Sequence, residues 1–323
     1  MEYRNLGKSG LKVSALGLGC NNFGMLIDQQ KATVVVKAAL NSGITLFDTA
    51  DIYGGRGKSE VFLGKALGKE RPNAVIATKF GNPMGDTPLE TGASRRHIMQ
   101  AAEASLKRLN TDYIDLYQLH TPDLSTPIEE TMRALTDLVH QGKVRYVGCS
   151  NFSGWQLVEA NLIAKSEGLE EFISAQNRYS LLSRDIEHDL MPAAKKYGAG
   201  ILPFFPLESG LLTGKYKRDK APQKGTRWHA WKDRAAMAEA FWSESRFDKV
   251  QKLQEICDNY GNSLLELAFG WLLENANVSS VIAGATKSSQ IKGNVNAAKF
   301  RPSAEQLNRV NAITLSNTRA GFP

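Results

Sequence analysis

Four side chains with complementary acid–base chemistry follow short apolar runs in the first half of the chain. Asp48 follows "ITLF" with Tyr53 close behind, Lys79 ends "AVIATK", and His120 ends "YIDLYQLH". An unperturbed tyrosine titrates near ~10 and releases its proton reluctantly at neutral pH. A neighbouring ammonium stabilises the phenolate, a carboxylate holds that ammonium in place, and an imidazole donates a hydrogen bond to a carbonyl oxygen. The set suits proton transfer to or from a carbonyl oxygen.

Proton transfer of this kind accompanies hydride transfer at the carbonyl carbon. No protein side chain supplies hydride, so these residues imply a nicotinamide cofactor. Taken singly, each residue also has a structural explanation: a loop cap for Asp48, a packed phenol for Tyr53, a surface lysine and a buried hydrogen-bonded histidine. The functional interpretation depends on finding all four at adjacent strand ends.

The stretch "FDTADIYGGRGKSE", residues 47–60, also approaches the P-loop pattern G-x-x-x-x-G-K-[ST]. That pattern requires glycine at position 52, where this chain has Ile52. Without the glycine the loop does not wrap closely around a triphosphate. We therefore expect the glycines and Lys58 to shape a solvated loop.

Eight β-like runs alternate with helical patterns along the chain. The runs are nearly continuously apolar, which is typical of parallel strands covered on both faces. Eight such units favour a (β/α)8 TIM barrel over an open doubly wound sheet. The glycines of "GLGCNNFG" also lack the spacing of a dinucleotide-binding Rossmann motif. The runs are "ALGLG", "ITLFD", "AVIATKF", "YIDLYQLH", "VRYVGCS", "FISAQN", "GILPFFPL" and "VSSVIAG".

Two further features complete the predicted architecture. The segment "YRNLGKSGLKVS" predicts an N-terminal β-hairpin with its turn between Gly7 and Gly10, and a long insertion follows strand 7. No linker or change of composition interrupts the chain, so residues 1–323 are predicted to form a single barrel domain. Barrel enzymes carry their reactive groups at the carboxyl ends of the strands, where the four candidate residues lie.

Composition and charge exclude several other classes of protein. Hydrophobic residues at 42% and charged residues at 23% are globular proportions. The net charge is +7, but the basic residues are mostly interleaved with acidic ones, so no nucleic-acid partner is expected. The absence of a signal-like start or a run of ~20 apolar residues predicts a cytoplasmic protein without a membrane partner. Three cysteines without ligand spacing predict neither disulfide nor metal.

Over essentially the whole chain the sequence resembles the aldo-keto reductase family. The likeness lies in "GLGC", "FDTADIYG", "SEVFLGKAL", "ATKFG", "SLKRLNTDYIDLYQLH", "GKVRYVGCSNF", "AQNRYSLL", "PLESGLLTGKY" and "VIAGATKSSQIKGN". It is closer to the bacterial and potassium-channel β-subunit branches than to the short aldose reductase type. The resemblance implies a (β/α)8 barrel that binds NADPH without a Rossmann fold and reduces aldehydes and ketones. It makes Tyr53 the general acid/base and completes a tetrad with Asp48, Lys79 and His120.

The resemblance also implies a set of cofactor contacts. Phe204 takes the place of the tyrosine that usually stacks on the nicotinamide, because this chain reads "FFPL" where the family usually has "YSPL". Lys287 precedes a helix whose N-terminus favours an anion, so NADPH is preferred over NADH. The other implied contacts are Ser150, Asn151 and Gln176 for the carboxamide, Pro206, Leu207, Ser209, Gly210, Leu211 and Lys215 for the pyrophosphate, and Gly284, Gln290 and Asn294 for the adenosine end.

Substrate choice is predicted to depend on loops over the barrel mouth, at residues 21–25 and 82–92 and in the insertion. The candidate pocket residues are Asn21, Phe23, Trp228 and Trp231, although the two tryptophans are as well suited to anchoring the insertion. The expected partner is a small carbonyl or alcohol compound, and the chain is a monomer or a homo-oligomer.

Three functions remain open from the sequence. The first is an NADPH-dependent carbonyl reductase that also runs in reverse with NADP+. The second is a non-catalytic regulatory subunit that keeps its cofactor. The third is a Schiff-base enzyme using Lys79, against which Asp48 weighs because it favours the non-nucleophilic ammonium.

Overall fold

The computed structural model of the chain describes residues 1–218, 220, 228–229 and 242–315. These residues fall into two compact units. The barrel unit comprises residues 1–177, 186–204 and 276–295, and the second unit comprises the described residues of 178–185, 205–275 and 296–323. Trp231 lies outside the described residues.

Eight parallel strands form the sheet of the barrel unit, in the order β10-β3-β4-β5-β6-β7-β8-β9. A parallel bridge pairs Ile201, in the last strand of this order, with Val278, which lies just before the first strand of the order. The predicted (β/α)8 barrel is therefore confirmed. The strands are β3 (Leu16–Gly19), β4 (Leu46–Asp48), β5 (Val75–Phe80), β6 (Ile114–Leu119), β7 (Val144–Ser150), β8 (Ser174–Gln176), β9 (Gly200–Ile201) and β10 (Val281–Gly284).

The register of the strands brings the candidate residues to one edge of the sheet. Where β4 pairs with β3, Asp48 lies level with Gly19. Where β5 pairs with β6, Lys79 lies level with Gln118. Ser150 lies level with Gln176. All are at carboxyl ends of parallel strands, which is where this fold carries reactive groups.

The predicted N-terminal hairpin is also present. β1 (Tyr3–Asn5) pairs antiparallel with β2 (Lys12–Ser14). Leu6 and Val13 are fully buried and belong to one apolar cluster with strand residues such as Leu46 and Leu116. Gly7 has φ +58, and a Cβ there would lie 2.4 Å from the Gly198 carbonyl oxygen, so glycine is required in this turn.

Helices follow most strands, and several begin at residues that cap them. Asp28 accepts a hydrogen bond from the Lys31 amide at the start of the helix Gln29–Asn41. Ser263 forms a capping box with Glu266 at the start of the helix Leu264–Glu274. The described helices are α1 (Gln29–Asn41), α2 (Tyr53–Arg56), α3 (Lys58–Leu67), α4 (Arg95–Leu109), α5 (Ile128–His140), α6 (Gly154–Glu167), α7 (Leu190–Tyr197), α8 (Glu244–Tyr260), α9 (Leu264–Glu274), α10 (Ser288–Ala297) and α11 (Ala304–Thr314).

The long insertion predicted after strand 7 lies between β9 and β10 and carries α8 and α9. Within the second unit, Trp228 is 2% exposed and its ring lies 5.0 Å from that of Trp242 and 6.3 Å from that of Tyr216. None of the described helices is long and apolar enough to span a bilayer.

Candidate active site

Asp48 and Lys79 form a buried ion pair at the ends of β4 and β5. The Lys79 Nζ lies 2.8 Å from each Asp48 carboxylate oxygen and 2.8 Å from the Thr49 carbonyl oxygen. Lys79 is fully buried and Asp48 is 4% exposed. Burial alone would lower the pKa of Lys79, but Asp48 and Tyr53 outweigh it and raise that pKa above its ordinary value. Lys79 is therefore a fixed ammonium at neutral pH.

Tyr53 begins α2 and lies against this ammonium. The Lys79 Nζ lies 5.1 Å from the centre of the Tyr53 ring. Burial raises the pKa of Tyr53, the Lys79 charge lowers it, and the net result is a raised pKa. The sequence-based expectation that Lys79 makes the phenol more acidic is correct for that one interaction, but burial outweighs it. The phenol therefore remains protonated at neutral pH.

The glycines after Tyr53 allow its loop to turn sharply. Gly54, Gly55 and Gly57 all have positive φ, and a Cβ on Gly54 would lie 2.6 Å from the Phe23 carbonyl oxygen. Lys58 is exposed. The P-loop-like glycines thus permit backbone conformations and close contacts that other residues disfavour.

His120 follows β6 and meets Tyr53 edge-on, with ring centres 5.6 Å apart and an angle of 81° between the rings. His120 is 8% exposed, and burial together with the Lys79 ammonium lowers its pKa to about 3. The imidazole is therefore neutral at physiological pH. The Asn82 side-chain nitrogen lies 3.0 Å from His120 Nδ1. The four predicted catalytic side chains thus lie together in the barrel unit.

The three residues predicted to bind the carboxamide lie at the ends of β7 and β8. Ser150 donates to the Gln176 carbonyl oxygen at 2.8 Å. Asn151, exposed with φ +61, donates to the His120 carbonyl oxygen at 2.9 Å. Gln176 is 2% exposed, and its amide nitrogen donates to Asp48 Oδ1 at 2.8 Å. Gln176 is therefore tied to the ion pair itself.

Comparison with known proteins agrees with this geometry. The sequence profile of the Aldo/keto reductase family matches residues 15–314. The chain belongs to the aldo/keto reductase family. The resemblance predicted from the motifs is confirmed over nearly the whole chain.

Similar curated proteins come from plants, a fungus and a bacterium. A probable voltage-gated potassium channel subunit beta of Oryza sativa subsp. japonica is 37% identical, with 99% of this chain and 98% of that protein aligned. A putative channel subunit of the same kind from Schizosaccharomyces pombe is 39% identical over 93% of this chain and 89% of its own length. The uncharacterized oxidoreductase YrpG of Bacillus subtilis is 36% identical, with 97% of this chain and 96% of that protein aligned.

The predicted adenosine contacts of this aldo/keto reductase lie around the start of α10. Gly284, Lys287 and Gln290 are exposed, whereas Asn294 is 7% exposed. The Gln290 side-chain oxygen accepts hydrogen bonds from the Thr286 and Lys287 amides at 2.7 and 3.2 Å. Gln290 therefore caps α10 and orders the backbone beside Lys287. Phe204, partly exposed, follows β9 and donates its amide to the Asn177 carbonyl oxygen at 3.1 Å.

The predicted pyrophosphate contacts lie in the second unit, in the turn at residues 205–215. Ser209 and Gly210 have φ +57 and +98. Ser209 is 8% exposed, and its hydroxyl makes no hydrogen bond to any residue that the structure describes. Gly210 packs under Lys215, since a Cβ there would lie 2.7 Å from the Lys215 Nζ. A buried hydroxyl without a partner and a nearby ammonium fit a phosphate ligand. Pro206 and Leu211 are buried and Leu207 is partly exposed.

The sequence reasoning missed the residue that holds this turn in place. Glu208 is fully buried with φ +45. Its carboxylate pairs with Arg178 and, at 2.8 Å, with Arg246, and it accepts from the Ser180 hydroxyl at 2.6 Å. Burial would raise the pKa of Glu208, but these partners lower it. The signal was a single charged residue within the otherwise uncharged run "FFPLESGLL".

A further acidic residue, Asp51, lies between Asp48 and Tyr53 in the sequence. Asp51 is fully buried, and within the described part of the chain neither of its carboxylate oxygens has a hydrogen-bond partner. Burial and the neighbouring Glu60 raise the pKa of Asp51 to about 8, partly offset by Arg108. Glu60 itself is ionically paired with Arg108 at 2.6 Å. Asp51 is therefore a neutral acid at physiological pH.

Of the substrate-pocket candidates, Asn21 is partly exposed in the loop after β3, whereas Phe23 is fully buried beneath that loop. Trp228 is buried in the aromatic cluster of the second unit. The ring contacts of Trp228 with Tyr216 and Trp242 are packing contacts, and Phe23 is known here by its burial. Their roles toward a substrate stay predictions.

Proposed function

We propose that the chain is an NADPH-dependent oxidoreductase that reduces aldehyde or ketone carbonyls to alcohols, and that it runs in reverse with NADP+. The observation that carries this proposal is the buried pair of Asp48 and Lys79 lying against Tyr53. Support also comes from membership of the aldo/keto reductase family and from the similarity to YrpG, which is described as an oxidoreductase.

The chain's own residues would manage the proton and the carbonyl oxygen. Tyr53, protonated at neutral pH, gives its proton to that oxygen, and Lys79 offsets the charge that develops on the phenol. Asp48 holds Lys79 in place, while neutral His120 donates a hydrogen bond that orients the carbonyl. A bound nicotinamide cofactor supplies the hydride.

In the barrel unit the cofactor would be held by Ser150, Asn151 and Gln176, with Lys287 as the residue that would favour the 2′-phosphate of NADPH. The exposed position of Lys287 just before α10 supports this, because a lysine and a helix N-terminus both favour an anion. We further propose that residues 1–323 act as one barrel-type domain in the cytoplasm. The family profile supports one domain, since it runs through both units without interruption.

A Tyr53→Phe variant tests the proposal. Wild-type protein is expected to oxidise NADPH with at least one member of a panel of aldehydes and ketones. Tyr53→Phe is expected to bind NADPH, as measured by cofactor fluorescence, and to lose turnover by at least about a hundredfold. A variant that turned over normally would remove Tyr53 from the reaction.

The second candidate is a regulatory subunit that retains its cofactor. It is favoured by the relatives from Oryza sativa and Schizosaccharomyces pombe, whose names describe potassium channel subunits. NADPH binding without reduction of any compound in the panel would favour this function. The Schiff-base alternative is disfavoured because Asp48 keeps Lys79 charged, and a charged lysine is not a nucleophile.

A further inference from the structure

Asn82 follows β5 in a loop at the carboxyl edge of the barrel and lies beside the imidazole of His120. It is half-buried, and its side-chain nitrogen lies 3.0 Å from His120 Nδ1. The other end of the same amide, the oxygen, lies 3.4 Å from the Thr121 hydroxyl, which donates to it. The amide thus presents its NH₂ group to the ring and its oxygen to the residue after the ring.

A neutral imidazole carries one N–H, and hydrogen bonding decides which nitrogen holds it. An amide NH₂ donates and does not accept, so a ring nitrogen facing it must offer a lone pair. We propose that Asn82 is a positioning residue that fixes the tautomer of His120, keeping Nδ1 unprotonated so that Nε2 carries the N–H that is available to a carbonyl oxygen. This inference rests on the proposed reductase function.

The surroundings of His120 explain why the choice of tautomer matters. The ring meets that of Tyr53 edge-on, it is under the influence of the Lys79 charge, and Lys79 is itself paired with Asp48. Burial and the Lys79 ammonium both lower the pKa of His120, so the ring does not supply donors from both nitrogens at neutral pH. The backbone of His120 is held separately, through the Asn151 side chain on its carbonyl oxygen. In the part of the chain that the structure describes, the hydrogen bond to the ring itself comes from the amide of Asn82.

The first test is a direct reading of the tautomer in the wild-type protein. The chain has five histidines, so selective nitrogen-15 histidine labelling gives few signals, and His120→Gln identifies the one of interest. We expect a neutral ring with its proton on Nε2 at neutral pH. A proton on Nδ1, or a cationic ring, would overturn the proposal. The measurement uses the protein alone and does not depend on turnover.

The second test is Asn82→Asp, which keeps the side-chain shape and replaces a donor by an acceptor. The carboxylate is expected to draw the proton to Nδ1 and to make the ring easier to protonate. At neutral pH and above, kcat/KM is expected to fall about a hundredfold, the usual effect of losing one such donor. Acidification should restore much of it, because the cationic ring again carries an N–H on Nε2. Retention of the Nε2 tautomer and of the wild-type pH profile would show that Asn82 does not set the tautomer.

A matched control separates this effect from the mere addition of a carboxylate. Asn110→Asp makes the same change at the exposed end of α4, and both the histidine signals and the pH profile are expected to match the wild type. If the wild type reduced no carbonyl compound in the panel, the proposed function would fail, while the tautomer measurement would still decide the role of Asn82.

Discussion

The Asp48 carboxylate neutralises Lys79, which has no access to water. Removal of this carboxylate is therefore expected to destabilise the protein. In Asp48→Asn the ammonium of Lys79 would lose its counter-charge inside the barrel. Breaking a buried pair in this way costs about 3 kcal/mol or more. We expect a matching drop in the free energy of unfolding, measured with urea, together with loss of carbonyl reduction.

The double variant Asp48→Leu/Lys79→Met provides the control. It removes both charges and fills the space with apolar groups, so it is expected to be more stable than Asp48→Asn. Equal destabilisation in the two variants would mean that packing, and not the uncompensated charge, dominates at this position.

The raised pKa of Asp51 predicts how the stability of the protein depends on pH. Its pKa is raised to about 8 in the folded protein, from an ordinary value of 3.8. Between these two values the folded chain holds a proton that the unfolded chain has released, so this group lowers stability as pH rises, by at most about 1.4 kcal/mol per pH unit. In Asp51→Asn this loss disappears. The variant is expected to gain stability relative to the wild type as pH rises, up to a plateau above about 8.

Urea unfolding at several pH values checks this expectation. Asp86→Asn, at a side chain that is 93% exposed, controls for the loss of one carboxylate. A stability difference between Asp51→Asn and the wild type that did not change with pH would contradict the prediction.

At the scale of single residues, the tetrad could be predicted because polar groups directly after apolar strands are visible in a linear sequence. Asn82 could be placed in a mouth loop but not beside His120, because side-chain direction depends on loop geometry. Glu208 was missed for a related reason, and the burial of Asp51 could not be predicted either. Their significance comes from burial and from partners on distant segments, which no local pattern encodes.

Among the larger elements, the turn at residues 205–215 depends on one carboxylate. Glu208 joins Arg178 and Ser180 of one segment of the second unit to Arg246 of another. Glu208→Gln would leave two partly buried guanidinium groups without their shared counter-charge. We expect a loss of about 3 kcal/mol in the free energy of unfolding and weaker NADPH binding, measured by fluorescence titration.

A surface pair in the same unit serves as the comparison for Glu208. Glu244 lies 3.2 Å from Arg218, and its side chain is 77% exposed. Glu244→Gln is expected to cost less than about 1 kcal/mol and to leave NADPH affinity unchanged. Similar losses in both variants would argue against a special role for the Glu208 contacts.

The strands themselves were predictable in number and order, but less so in extent. The run "GILPFFPL" predicts a long strand, whereas β9 covers only Gly200–Ile201. Pro203 and Pro206 have no amide hydrogen to donate to a neighbouring strand, although the Leu202 and Phe204 amides still donate to the Ala175 and Asn177 carbonyl oxygens beyond the end of β9. The run "FISAQN" is likewise reduced to Ser174–Gln176. Apolar composition identifies a strand, while its ends depend on which neighbours it meets.

For the whole molecule, the proposed cofactor predicts a shift in thermal stability. A ligand that binds the folded chain alone stabilises it by about 2.7 kcal/mol when present at about 100 times its Kd. NADPH is therefore expected to raise Tm, and NADH to raise it less at equal concentration if Lys287 contacts the 2′-phosphate. Differential scanning fluorimetry checks this, with Lys287→Ala expected to reduce the difference between the two cofactors.

The division into two compact units could not be predicted from composition. The second unit is made of three separate segments of the chain, and segments of the barrel unit lie between them in the sequence. A break in composition marks a boundary only when one continuous segment forms each unit. The prediction of a single domain stays a prediction.

The position of the strand that completes the barrel has a consequence for synthesis of the protein. β3 is made first, but its second neighbour, β10, begins at Val281. While the chain emerges from the ribosome, one edge of the growing sheet therefore stays open until almost the whole protein has been made. An open edge can pair with other chains. A nascent chain stalled before Val281 should thus need a chaperone to stay in solution, whereas one released after Gly284 should not.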